Sequence, residues 1–220
     1  MPTASVVMSR LRQPASAAIA GIIFAVILIA VMVLLRDAAA LDLRTGSRWA
    51  SDASRRSAVS MALELIPFAG IAFLWFIGVI RSQVGAAEDR FVGTVSLGSG
   101  VLFVAMLFVA AASLKASLAA TAGTSAAVEI DTAFPAALLG LFGARMAAVF
   151  VAAVTTVGRR AGALPPWLTG IGYVVAAMLL FTPPLPPLSQ FLFPAWVLLL
   201  SGYLLTGRHQ RPRVVGTAGT

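Results

Sequence analysis

The chain contains no cysteine, so disulfides and thiolate metal sites are excluded and the redox compartment stays open. It has a single histidine, His209, close to its C-terminal end. A His-based metal site or a His-dependent catalytic triad therefore has nothing to be built from. Charge is scarce too: 11% of the 220 residues, against about 25% in an average soluble domain. No phosphate loop, HExxH or G-x-S-x-G motif occurs. Glu129 and Asp131, two residues apart, could meet a divalent cation, but two acids are a weak signal and no metal site is expected. No cofactor is expected, and an enzyme ranks behind the other function classes.

What the chain has in excess is apolar side chain: 60% of its residues, with a mean hydropathy of +0.95. A water-soluble fold of 22.8 kDa cannot hide that much, so lipid has to cover part of it. The expected fold is an all-α, polytopic transmembrane helix bundle, with no length left over for a separate soluble domain. A membrane helix takes about 20 mostly apolar residues. Six stretches qualify, at about 14–35, 59–80, 92–113, 133–157, 164–182 and 188–206. An N-tail (1–13) precedes them, and a basic tail (207–220), expected to be disordered, follows. The first stretch reads as a retained helix rather than a signal peptide, because it is long and Arg36-Asp37 separate it from Ala38-Ala39-Ala40. The last two are shorter, and between them four prolines in Thr182–Pro187 cannot continue a helix; a stiff turn between two spans is preferred to a dip within one re-entrant hairpin.

The net charge of +8 comes from 16 Lys+Arg against 8 Asp+Glu. The arginines sit at helix ends rather than in one patch, so nucleic acid is not the expected partner. Anionic lipid head groups are. In a six-helix topology, Arg10, Arg12, Arg81, Arg90, Arg159, Arg160, Arg208, Arg211 and Arg213 share the side of both termini. Arg36, Arg44, Arg48, Arg55, Arg56 and Lys115 lie opposite. Nine against six places both termini in the cytoplasm and the protein in the cell membrane. The loop 36–57 reads equally as a plain loop or a surface helix, since its apolar positions keep no helical period.

Two ionisable side chains fall inside apolar stretches, Glu64 and Arg145. Such groups are costly in hydrocarbon and face a partner, water or the bundle interior. Glu64 lies about 8 Å into its helix, one turn before Pro67, and Arg145 roughly 12–20 Å into its own. Glu64 is the natural partner of Arg145, which makes the two a candidate intramembrane charge site. The plainer alternatives are that Glu64 reaches interfacial water or pairs with Arg55 or Arg56, and that Arg145 snorkels or forms a structural ion pair. Arg145 runs beside a small-residue ladder, Gly140, Ala144, Ala148 and Ala152, and the face of Arg145 drifts toward it by Ala152. Gly93, Ser96 and Gly100 form a second small face at the start of helix 3. Small residues at four-residue spacing let helices approach closely in lipid. The run Gly98-Ser99-Gly100 also has the composition of a segment that unwinds, but close packing is its commoner use. Glu88 and Asp89 are placed to cap helix 3.

The segment ALELIPFAGIAFLWFIGVIRSQVGAAEDRFVGTVSLGSGVLFVAMLF, residues 62–108, resembles a group of uncharacterised small multi-pass integral membrane proteins of actinobacteria. The Ala- and Arg-rich composition is similar as well. The resemblance implies a membrane location and carries over no functional residue. Two function classes remain open. One is an accessory or structural subunit that packs against another membrane protein, or against a second copy, through its small faces. The other is a small-solute or ion transporter using Glu64 and Arg145.

Overall fold

The computed structural model describes residues 4–37, 53–84, 90–120, 133–181 and 189–206. Among these residues the secondary structure is helical apart from the turn at 161–165, without a strand. In chain order the helices are α1 (Ala4–Asp37), α2 (Ala53–Val84), α3 (Arg90–Ala120), α4 (Ala133–Arg160), α5 (Pro166–Phe181) and α6 (Leu192–Thr206). One 3-10 turn, Ser189–Phe191, leads into α6. Helices α1 to α4 are long and apolar enough to cross a membrane. Helices α5 and α6, with 16 and 15 residues, are apolar but shorter. The proline turn, the basic tail and most of loop 36–57 lie outside the described residues.

The long helices overrun their apolar cores. Helix α2 starts at Ala53, six residues before the greasy run that begins at Val59. Helix α3 continues to Ala120 through a stretch that composition suggests as connection. That stretch, Leu114 to Ala120, is Ala, Leu, Lys and Ser, and alanine is the best helix former. Pro67 is carried inside α2. The Gly98–Gly100 run stays helical, with the Ser99 hydroxyl donating to the carbonyls of Val95 (2.7 Å) and Ser96 (3.2 Å).

Helix α4 carries a π turn at Leu138–Gly143, where the Ala144 N–H reaches back to the Leu139 carbonyl. Gly140 and Gly143 lie within it, and residues without a side chain accept the wider turn. The helix stops at a Schellman motif. The Ala163 N–H donates to the Gly158 carbonyl (2.9 Å) and the Gly162 N–H to that of Arg159 (3.1 Å). Gly162 sits at φ +64°, which a side chain would oppose. Leu164 folds over Gly158, and Pro166 opens α5.

The helices pack in a ring that follows chain order: α1 on α2, α2 on α3, α3 on α4, α4 on α5, with α6 returning to α1. The contact between α5 and α6 is the slightest around the ring. The middle is filled by phenylalanine: Phe24 from α1, Phe73 and Phe76 from α2, Phe103 from α3, Phe150 from α4 and Phe193 from α6. Phe73 is at the hub. Its ring lies 4.4 Å from that of Phe24, 5.1 Å from Phe150, and 5.6 Å from both Phe103 and Phe193. Most of these pairs are edge-to-face or tilted, the arrangement the ring quadrupole favours. Close approaches around this core fall at glycine. A side chain at Gly21 would run into Ser201 and Phe76, and one at Gly100 into Ile77 and Phe150. Large apolar side chains such as Phe68, Trp75, Phe91, Trp167 and Phe181 point outward.

Candidate functional site

The structure does not pair Glu64 with Arg145. Glu64 accepts from the Lys115 ammonium at 3.3 Å, which ties the first half of α2 to the end of α3. Both side chains are about 70% exposed, at 70% and 69%. Lys115 closes the apolar run of α3, so the pair lies toward the end of the greasy belt rather than at its centre. The long lysine stem lets the charge reach polar surroundings from there. This partner was open to sequence reasoning. Lys115 is the lone lysine in the chain and lies on the same side as the start of α2, but Arg145 is the more conspicuous cation.

Arg145 takes a different place. Its guanidinium donates to the Leu141 carbonyl, one turn earlier and inside the π turn. A π turn loosens the regular ladder, so a carbonyl there is accessible to a side-chain donor. Arg145 is half-buried, and no carboxylate pairs with it among the described residues. It is close to the midpoint of the 28-residue α4. At 1.5 Å per residue, about 18 Å of helix lies on one side of it and about 22 Å on the other.

The small residues divide. Gly93 and Gly100 are buried and Ser96 is half-buried; Gly100 lets α3 close on Ile77 and Phe150. Ala148 is buried in the core at 2% exposure, while Gly140 and Ala144 are only half-buried. The ladder is therefore consumed in part by packing within the chain and left partly uncovered toward Gly140.

Sequence reasoning missed an open apolar groove of about 400 Å³ on the outward face of α4, between α3 and α5. Its floor is Val149, Ala152 and Thr156 of α4, and exposed Phe91 and Phe181 form part of its rim. Arg145, Val149, Ala152 and Thr156 follow one another at helical spacing of four, three and four residues. They share one face, which places Arg145 one turn beyond the groove floor. Only the small side chains of α4 carried a signal for this groove; the overhang of α3 and α5 is a property of the packing.

Four buried polar groups lack a hydrogen-bond partner among the described residues: Thr155 and Thr169 hydroxyls, the Trp196 indole N–H and the Ser201 hydroxyl. Thr155 lies against Gly172 of α5, and Ser201 against Gly21 of α1. Beside them, Thr156 and Tyr173 share a hydrogen bond of 3.0 Å that links α4 to α5. Among the described residues there is no cluster of three or more metal-ligating side chains.

Fold and site together define a helical bundle with helices fit to cross a membrane, an aromatic centre and a cationic, grooved outer face. Comparison with family models, with curated proteins and with solved structures gave no match.

Proposed function

We propose that the chain is an integral protein of the cell membrane with six spans and both termini in the cytoplasm, and that it serves as an accessory or structural subunit of a membrane complex. In this reading α5 and α6 cross as short spans.

The observation that carries the accessory reading is the phenylalanine core. Rings from five of the six helices meet around Phe73, where a solute path would need polar groups or water. The charges proposed for transport are also dispersed, Glu64 to Lys115 on the outside and Arg145 to its own backbone. Among the described residues the reading turns to the outer surface, where the face of α4 carries a groove.

The test is purification of tagged protein from native membranes in mild detergent, alongside Ala144→Leu and Ala152→Leu. A stoichiometric companion, retained by the parent and lost from variants of unchanged thermal stability, is expected. Proton or ion flux in liposomes that Glu64→Gln abolishes would replace this reading with transport.

A further inference from the structure

We infer that the α4 face receives a transmembrane helix of another protein, and that this helix carries an aspartate or glutamate that pairs with Arg145. The inference rests on the accessory-subunit reading and adds the chemistry of the partner.

Three observations lead to it. First, Arg145 uses one of its N–H donors, on Leu141, and no carboxylate meets it among the described residues. A guanidinium has five such donors in a planar fork suited to a carboxylate. Second, its position at mid-span keeps it about 18 Å or more of helix from either end of α4. That distance exceeds the reach of an arginine side chain, so a lipid phosphate is a poor match and a carboxylate held at the same depth is a good one. Third, the face leading from Arg145 is concave and apolar, with Val149, Ala152 and Thr156 on its floor. Small residues on such a floor let a second helix backbone come close.

A second copy of the chain does not fit. Glu64 is the one acid within its apolar runs, it is committed to Lys115, and it lies near the end of the greasy belt rather than at mid-span. With no acid of the apolar runs or of the described residues available at that depth, the complementary charge is assigned to a different protein. Pairing in hydrocarbon is favourable because the alternative for each group is an unmatched charge in lipid.

The probe is a synthetic transmembrane peptide of leucine and alanine with one central glutamate. Its control carries glutamine in that place. Binding to the full-length protein is read by energy transfer in vesicles of zwitterionic lipid. The glutamate peptide should bind the parent about tenfold more tightly than the glutamine peptide, and Arg145→Gln should remove that difference. Ala152→Leu should weaken both peptides by closing the groove. Arg145→Glu should transfer the preference to a peptide with a central lysine, a gain that misfolding cannot mimic. Equal binding of the two peptides to the parent overturns the inference, even if Arg145→Gln fails to fold. Displacement of the glutamate peptide by phosphatidylglycerol vesicle lipid, in the parent and not in Arg145→Gln, would assign the face to anionic lipid and overturn it too. Equal peptide binding alongside a native companion lost on Ala152→Leu would leave the accessory reading standing and remove only the carboxylate.

Discussion

Replacing Phe73 by alanine probes the core most sharply. The ring is fully buried and touches the rings of Phe24, Phe76, Phe103, Phe150 and Phe193. In a water-soluble core Phe→Ala costs about 3–5 kcal/mol, made of a lost transfer term and a cavity term. Inside a membrane the transfer term shrinks, because an unpacked phenylalanine rests in lipid that is as apolar as the core. What persists is the cavity and the ring pairs, each pair worth about 0.5–1.5 kcal/mol and far from additive. A loss of about 2–4 kcal/mol is expected. The comparison is Phe68→Ala, five residues earlier on the same helix, where the ring is 61% exposed. That change removes the same atoms from a lipid-facing position and should cost within about 0.5 kcal/mol of nothing. Both are measured by reversible unfolding in mixed micelles of increasing denaturing-detergent fraction. Equal losses for the two variants would refute a bundle held by its aromatic centre.

Other changes have distinct signatures. Gly172→Ala drives a methyl into the stiff, β-branched Thr155 and should cost about 1–3 kcal/mol. Adding Thr155→Ala should recover much of that loss, read as a double-mutant cycle in the same unfolding assay. Gly162→Ala should cost about 1 kcal/mol through its positive φ, without touching any neighbour. Glu64→Gln and Lys115→Gln should each cost under about 1 kcal/mol, since both groups are largely exposed. A cycle between Glu64 and Lys115 should show weak coupling and one between Glu64 and Arg145 none, measured by the same thermal or detergent unfolding.

The helices were the legible part. Apolar run length alone marks α1 to α4. Helix ends were less legible, because Ala53–Ala58 and Leu114–Ala120 are helical without being greasy enough to stand out. The site was legible only as a set of residues. Glu64 and Arg145 stand out as charges in apolar surroundings, but which groups they meet depends on helix stagger and rotation, which hydropathy does not encode. Lys115 lies 51 residues from Glu64 in the chain, and nothing local to either announces the other. The π turn that frames Arg145 has no strong composition signal beyond two glycines. The groove exists because α3 and α5 stand proud of a small-residue floor, a relation among three helices rather than a motif.

The most direct test of an outward-facing docking surface on α4 is photo-crosslinking in native membranes from a probe at Ala152, with a second probe at Trp75 on α2 as reference. A discrete protein adduct from Ala152 that disappears with Arg145→Gln, and is absent from Trp75, is the expected result. Lipid adducts alone from Ala152, or the same protein adducts from both positions regardless of Arg145, would contradict it.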